Sequence, residues 1–410
     1  MTIKTRQMSF ERAHGLLEEL RSLRATMGNG TLPTRGTLQP LWLLQRLLVK
    51  EITRAERKIR RIKSILRSIS EEEASERVAS LLAQIEGYRH LAYMWRSFGD
   101  AVAFLFMDKF ALKQVFYNTQ NRNAKQDAGF LSDKSGFAGE WKEVERWIGQ
   151  GVPALLTDLT NTIRHGDVCV MTGPDPVLIE VKLGKLDGRG REQRNSIRQL
   201  TEFFEADTTN GLRGLGEIRW TAHQTPEVSY ADAMEVTIIA ALKTGAAASS
   251  PESGLWYLAV ADEKVDINAW IEGLGLRRPV AYLLNETKSA RSWAPYTPFI
   301  LSFRDHSAVF RFIWGDVLVF VVYDLEELLS ASAQRSLEID LFSREEESAF
   351  ELREPGSGQN IRLTWQMFDR LALEFTSPIW LLSAAIERID AQEPLSPADP
   401  LGELVEALSQ

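Results

Sequence analysis

The residues best placed to do chemistry together are Asp167, Glu180 and Lys182, which lie in the stretch GDVCVMTGPDPVLIEVKLG at 166–184. Two short runs rich in β-branched residues flank the turn signal GPDP, so the stretch predicts a β-hairpin. Side chains alternate between the faces of a strand. All three ionic residues therefore share one face of the hairpin, above an apolar layer.

The register of this hairpin has two solutions that keep its charges together. A turn at GPDP pairs Val170 with Ile179 and Asp167 with Lys182, and a slip of two residues sets Asp167 opposite Glu180. A slip of one residue would bury the charges and is disfavoured. Both even registers stay open from the sequence.

Such a face could bind a metal ion. Two nearby carboxylates repel each other unless a cation lies between them, and a hard divalent ion such as Mg²⁺ or Mn²⁺ removes that penalty. An ammonium beside the metal can hold the attacking water or stabilise charge on a phosphate oxygen. The combination suits hydrolysis of a phosphodiester bond. The structural alternative is an amphipathic edge hairpin whose Glu180 and Lys182 are solvated.

Asp167, a short turn and then Glu180-Val181-Lys182 resemble the PD-(D/E)XK nuclease superfamily, which includes many restriction enzymes. The resemblance covers roughly residues 135–245, and the family's Pro-Asp is Gly-Asp here. A literal Pro174-Asp175 lies in the expected turn and is discounted.

The resemblance implies a role for each residue of the hairpin. Asp167 and Glu180 would ligate Mg²⁺ or Mn²⁺, with the Val181 carbonyl as a further ligand, and Lys182 would orient the attacking water.

Members of this family commonly carry an acidic residue on the helix before the hairpin. Glu140 fits best, because Glu140, Val144, Trp147 and Ile148 recur on one helical face, and Glu143 is the fallback. Glu140 would complete or tune the site.

The helix after the hairpin could grip the phosphates that flank a scissile bond. Its candidate substrate-binding residues are Lys185, Arg189, Arg191, Arg194, Arg198 and Gln199. The alternative for the arginines is a soluble, solvated segment. Trp220 is expected in the core, His165 as a structural or solvated residue and Cys169 as a packed side chain.

We expect a mixed α/β protein with three regions. These are a helical region at 1–130, a restriction-endonuclease-like core with a mixed sheet at 131–335, and a C-terminal helical extension with a loose tail at 336–410. Helices are expected at 38–70, 70–95, 100–118, 139–150 and 191–206. Strands are expected at 234–243, 255–262, 298–303, 308–315 and 317–324, and an exposed acidic loop at 344–360.

The first long helix carries eight basic residues between Lys50 and Arg67. It could track phosphates, or it could be a solvated helix whose charge is offset by the acidic residues at 71–76.

The composition of the chain further narrows the class of protein. The net charge of −8 over 410 residues argues against a chain-wide polyanion binder and confines any nucleic-acid binding to one groove. A single cysteine excludes an internal disulfide framework and favours the cytoplasm, and no apolar run is long enough for a membrane span. No Walker-type loop occurs, so any ATPase motor would be a separate chain. The histidines lack zinc-site spacing.

These observations favour a cytoplasmic, metal-dependent nuclease that acts on nucleic acid, DNA in preference to RNA, in phage defence or DNA repair. The rival is a binding or assembly protein that keeps the fold, has a degenerate metal face and forms homo-oligomers through its N-terminal helices.

Overall fold

The chain forms two compact units, and the predicted β-hairpin lies in the same unit as the N-terminal helices. The computed structural model describes residues 6–27, 33–69, 75–127, 129–181, 188–221, 223–356 and 358–390. One compact unit comprises residues 1–221 with 285–316, and the other comprises 222–284 with 317–410. Within the described ranges, no helix has the length and apolar content needed to cross a membrane.

The described elements are numbered in chain order. The helices are α1 (Gln7–Met27), α2 (Gln39–Arg67), α3 (Ser75–Phe106), α4 (Lys109–Gln114), α5 (Phe137–Gly149), α6 (Gly188–Ala206), α7 (Ala231–Thr244), α8 (Ile267–Gly273), α9 (Leu284–Ala290), α10 (Phe299–Ser302), α11 (His306–Trp314), α12 (Leu325–Ala333), α13 (Trp365–Phe368), α14 (Arg370–Leu373) and α15 (Pro378–Asp390). The strands are β1 (Ala154–Leu156), β2 (Val168–Val170), β3 (Val177–Ile179), β4 (Thr208–Asn210), β5 (Glu217–Arg219), β6 (Ala246–Glu252), β7 (Leu255–Val260), β8 (Pro279–Leu283), β9 (Leu318–Asp324), β10 (Glu338–Leu341), β11 (Ser348–Arg353) and β12 (Asn360–Thr364).

Helices α2 and α3 form the predicted antiparallel hairpin. Pro40 lies in the first turn of α2, where its missing N–H costs nothing. Arg96 Nη2 lies 3.1 Å from Glu56 Oε1, whereas Ile59 and Ile62 pack near Ile85, so the two helices run in opposite directions.

One boundary in this region was predicted wrongly. Residues 100–106 were expected to begin a third helix, but they continue α3. Gly99 lies within α3 rather than at its end. A glycine is required there because a Cβ would lie 2.0 Å from the Leu159 carbonyl oxygen. The predicted capping box at Ser70 and Glu73 lies outside the described residues.

Strands β1, β2 and β3 form a small antiparallel sheet in the order β1-β2-β3. Strand β2 pairs with β3 through Val168–Ile179, Cys169–Leu178 and Val170–Val177. The register that pairs Val170 with Ile179 is therefore wrong, and the alternative that sets Asp167 across from Glu180 is confirmed. The wider turn leaves residues 171–176 between the strands.

The second unit contains a four-stranded antiparallel sheet, β6-β7-β9-β8, and a three-stranded sheet, β10-β11-β12. The mixed α/β class with a helical N-terminal region is confirmed, and so are the strands at 255–262 and 317–324. The expected single mixed sheet is not formed by the described residues. Its strands lie in separate small sheets, and every described pair is antiparallel.

Three predicted strands are helices instead. Residues 234–243 lie in α7, where Met234, Thr237, Ile238 and Ala241 are buried at helical spacing. Residues 298–303 and 308–315 contribute to α10 and α11. Their β-branched and aromatic content suggested strands, but helical packing overrides such propensity.

The segment 344–360 was predicted as an exposed acidic loop and instead contributes to a hairpin. Strand β11 pairs with β12, and Phe350 and Leu352 are buried beneath its charged residues. The predicted loose tail lies, from residue 391 onward, outside the described residues.

Candidate functional site

The carboxyl groups singled out from the sequence line one cavity of about 550 Å³ in the first unit. We call it the carboxylate cavity after its acidic lining residues Asp127, Glu140, Asp158, Asp167 and Glu180. Asp127 and Asp158 were not predicted. The cavity is bounded by helix α5, the residues after β1 and the edge formed by β2 and β3.

Asp167 is held in place by the backbone on both sides of β2. Its N–H donates to the Ile179 carbonyl (2.8 Å), and its own carbonyl accepts from the Thr157 N–H (3.0 Å). Its Oδ2 accepts a hydrogen bond from the Val181 N–H at 2.9 Å. Gly166 precedes it with φ of +71°, and a Cβ there would lie 3.1 Å from the Ile179 oxygen. The Gly-Asp dipeptide therefore meets a backbone requirement that few other residues could satisfy.

Glu140 comes from the buried face of α5, as its spacing predicted. It shares that face with Val144 and Ile148 and is only 2 % exposed. The fallback, Glu143, is bound elsewhere: it pairs with Arg146 and accepts from Trp147 Nε1 at 2.9 Å. Among the described residues, Glu140 is therefore the acidic side chain that α5 contributes to the cavity.

Lys134, which was not predicted, lies among three carboxylates. Its Nζ is 2.7 Å from Asp158 Oδ2, 2.9 Å from Glu140 Oε2 and 3.4 Å from Asp167 Oδ1. Its side chain is 29 % exposed. The ammonium thus supplies the positive charge that one buried and two partly buried acids require.

The charges in this cluster shift one another's ionisation. Burial raises the pKa of Glu140 to about 7, and the negative charges of Asp167 and Asp158 act in the same direction against the Lys134 ammonium. Burial alone would lower the pKa of Lys134, but Asp158 and then Glu140 raise it above its ordinary value. Lys134 is therefore a fixed cation at neutral pH.

Asp158 and Lys134 come from short segments without a periodic pattern. Asp158 lies in a turn of 3₁₀ helix, Thr157–Leu159, directly after β1. Lys134 lies in a turn before α5, within a stretch that the sequence indicated as a polar connection. The signal that could have found Asp158 is PALLTD at 153–158, a short apolar run that ends in an acid.

The predicted lysines of the site lie outside the described residues. This applies to Lys182 and Lys185. It also applies to the side chain of Arg189, whose backbone lies in the first turn of α6. The described part of the hairpin ends with Glu180 and Val181, and both line the cavity.

The other predicted substrate-binding residues lie along α6. Arg191, Arg194 and Arg198 are exposed, and Arg198 lies 3.7 Å from Glu202. Gln199 accepts a hydrogen bond from Gln120 Nε2 at 3.4 Å.

The glutamine of α6 that lines the carboxylate cavity is Gln193 rather than Gln199. Gln193 lies six positions earlier on the same helix and was not predicted.

Two reactive residue types near the site have structural roles. The Cys169 thiol is buried, and burial raises its pKa to about 12, so it is a poor nucleophile. His165 Nε2 lies 2.9 Å from the Tyr117 carbonyl oxygen and its Nδ1 lies 3.2 Å from Lys125 Nζ. Burial lowers the pKa of His165 to about 4, so the ring is neutral. Trp220 is half-buried and packs 6.1 Å from the Phe203 ring.

The donor chemistry of the cavity fits a hard divalent cation, whereas its present geometry fits an ammonium. Among the described residues, no three carboxylate, imidazole or thiolate groups are arranged to hold a metal ion. The buried Oε2 of Glu140 nevertheless accepts no directed hydrogen bond from the residues described and has a cation at 2.9 Å. Mg²⁺ requires oxygen ligands at about 2.1 Å. To bind Mg²⁺, the carboxylates would therefore have to move closer together, and the Lys134 ammonium would have to leave the position between them.

Comparisons with protein-family models, with curated proteins and with solved structures found no match to this chain.

Proposed function

We propose that this protein is a metal-dependent nuclease with a restriction-endonuclease-like site of the PD-(D/E)XK type. The observation that carries the proposal is the register of β2 and β3, which sets Asp167 opposite Glu180 at the rim of a cavity. Glu140, from the preceding helix, reaches the same cavity. An Asp, a Glu on the next antiparallel strand and an acid on the helix before them are the arrangement that the resemblance implies.

Electrostatics explain why this site would need a metal. A phosphodiester is anionic, and the carboxylate cavity presents five acidic residues. Asp127 pairs with Arg164, and three of the others contact Lys134. Carboxylates that share one cation repel one another, and they would also repel an anionic phosphate in a partly buried site. When bound, Mg²⁺ or Mn²⁺ would supply Lewis-acid polarisation of the phosphate and a more acidic water. Asp167 and Glu180, with the Val181 carbonyl, would hold the ion.

The remaining roles follow from the resemblance. Lys182 would orient the attacking water, and Lys185, Arg189, Arg191, Arg194 and Arg198 on the following segment would grip flanking phosphates. Asp158 extends the acidic set beyond the family pattern and would assist Glu140 in orienting the ligands. The substrate is nucleic acid, DNA in preference to RNA, in a cytoplasmic role such as phage defence or DNA repair.

The test is cleavage of single-stranded DNA, duplex DNA and RNA with Mg²⁺, with Mn²⁺ and with EDTA. We expect metal-dependent cleavage that Asp167→Asn or Lys182→Ala abolishes, by at least about 100-fold for a group acting on the reacting atoms. The matched control is Asp175→Asn, which removes a carboxylate from the turn of the same hairpin. Wild-type rates in the Lys182→Ala protein would contradict the assignment.

A second candidate is a binding or assembly protein with a degenerate site. The observation that favours it is the Lys134 ammonium, which balances the carboxylates without a metal. A titration of thermal stability with Mn²⁺ separates the two candidates. A working site gains stability with rising metal concentration in the wild type and less in Asp167→Asn, whereas a degenerate site shows no gain.

A further inference from the structure

A second cavity of the first unit has an unusual lining for a protein of net negative charge. It measures about 510 Å³, and we call it the arginine cavity because Arg89, Arg96, Arg164 and Arg291 line it. It adjoins the carboxylate cavity, since Gln126, Asp127, Gly129, Phe130 and Arg164 line both. A ligand that spans the shared wall would reach both cavities.

The arginine cavity combines an apolar floor with a cationic rim. Ile59, Ala92 and Tyr93 are buried and supply the floor, and Phe130 supplies an aromatic wall. A base or sugar can rest on such surfaces while guanidinium groups meet phosphate oxygens. The chemistry is that of a nucleotide site.

Two of the arginines are held for structural purposes. Arg96 Nη2 lies 3.1 Å from the buried Glu56, and its Nε donates to the Asp158 carbonyl at 3.0 Å. Arg164 is mostly buried, with Asp127 at 2.7 Å and the Asn161 carbonyl at 3.0 Å. These contacts fix the cavity wall and connect it to the turn that carries Asp158.

The other two arginines are positioned to bind an anion. Arg89 and Arg291 are 44 % and 32 % exposed, and both contact one carboxylate, Glu86, with Arg291 Nη1 at 2.9 Å. Two guanidinium groups on one carboxylate leave a net positive charge and several N–H donors. A phosphate would complete the neutralisation of this pair.

We propose that the arginine cavity binds a nucleotide of a single-stranded nucleic acid, with Arg89 and Arg291 on its phosphate. The inference rests on the proposed function, because it places the next phosphate of the strand in the carboxylate cavity. An unpaired nucleotide can turn its base into a concave site at little cost, whereas a duplex must first unpair and unstack the base. The site therefore selects single strands, flaps or frayed ends.

The test measures binding of a labelled single-stranded oligonucleotide in EDTA, so that no cleavage occurs. The Arg89→Gln/Arg291→Gln double variant should lose at least tenfold in affinity. The slope of log K against log salt should fall by about 0.7, the value for one lost phosphate contact on a single strand. Arg311→Gln is the matched control, because Arg311 is an exposed arginine of the same unit paired with Asp316 at 3.0 Å.

Glu86→Gln provides a gain of function that a purely structural role would not give. It removes the carboxylate shared by Arg89 and Arg291, so it should tighten oligonucleotide binding severalfold. Wild-type affinity in the double variant, no gain in Glu86→Gln, or no binding of single strands by the wild type would each overturn the inference.

Two further arms identify the ligand and separate this inference from the proposed nuclease. A 5′-mononucleotide that binds as tightly as the oligonucleotide, or a duplex that depends equally on Arg89 and Arg291, would overturn the single-strand assignment. Asp167→Asn should retain oligonucleotide binding in EDTA while losing cleavage with metal. If no cleavage occurs in any arm, the nuclease proposal fails, and the arginine variants still decide the binding site.

Discussion

The Lys134 ammonium lies 2.9 Å from the Oε2 of Glu140, whose side chain is almost completely buried. The same ammonium contacts Asp158 and Asp167. It occupies the position among the carboxylates where a divalent ion would bring the same acids together. Lys134 and a metal should therefore compete for the carboxylate cavity, and this competition can be measured.

Lys134→Met removes the ammonium and keeps much of the side-chain volume. Without metal, the three carboxylates lose their cation, so the free energy of unfolding should fall by roughly 3 kcal/mol. Mn²⁺ should then stabilise the variant more than the wild type, with about 2.7 kcal/mol expected at a hundredfold excess over the dissociation constant. Urea unfolding with Mn²⁺ and with EDTA checks both effects.

The control for that experiment is Lys142→Met, which changes an exposed lysine of α5. It should leave both the stability and the metal response unchanged. If Lys134→Met is as stable as the wild type in EDTA and gains no more from Mn²⁺, the competition does not exist.

Gly166→Ala should strain the backbone next to Asp167 and so weaken the site. The residue has φ of +71°, and a Cβ would approach the Ile179 oxygen to 3.1 Å. A left-handed conformation costs a residue with a side chain about 1–2 kcal/mol. We expect that loss in the free energy of unfolding, together with weaker metal binding because Asp167 follows directly.

Gly173→Ala is the matched control in the turn of the same hairpin. A Cβ at Gly173 would meet no atom within 4 Å, and its φ is not positive. Equal stabilities of the two alanine variants in urea unfolding would show that Gly166 is not conformationally required.

The hairpin shows which features of the site the sequence could predict. Side-chain parity confined Asp167 and Glu180 to one face, and helical spacing selected Glu140 over Glu143. Parity could not choose between registers that differ by two residues, because both bury the same apolar layer. The choice depends on the length of the turn, which the structure extends to residues 171–176.

Lys134 and Asp158 could not be predicted because their positions depend on long-range packing. Both lie in turns, and they meet only when α5 and β1 pack beside β2. Residues 308–315 show a related difficulty: their aromatic and β-branched content favours a strand. The Asp305 side chain instead accepts from the Ala308 N–H at 2.9 Å and begins α11. A capping residue before the segment was the overlooked signal.

Asp100 should make stability depend on pH. Burial raises its pKa to about 6 from an ordinary 3.8, although Asn161 and Thr162 donate hydrogen bonds to it. The folded state therefore retains a proton that the unfolded state releases. This contribution to stability is complete below pH 3.8 and is lost as the pH rises through about 6, a total of about 3 kcal/mol.

Asp100→Asn removes the titration while preserving the shape of the side chain. Urea unfolding from about pH 4 to about pH 7 should show a flatter pH dependence in the variant by most of that amount. Superimposable pH profiles of the two proteins would show that the Asp100 carboxyl ionises equally in the folded and unfolded chains.

The glycines of α3 allow a paired test of how the turn that carries Asp158 is held. A Cβ at Gly99 would lie 2.0 Å from the Leu159 carbonyl oxygen, one residue beyond Asp158, whereas a Cβ at Gly87 would meet nothing within 4 Å. Gly99→Ala should therefore force the turn away from the helix and destabilise the fold by about 1–3 kcal/mol. Gly87→Ala should stabilise it by about 0.5–1 kcal/mol, because alanine favours the helix. Urea midpoints that move in opposite directions would support this close contact, and two stabilising substitutions would contradict it.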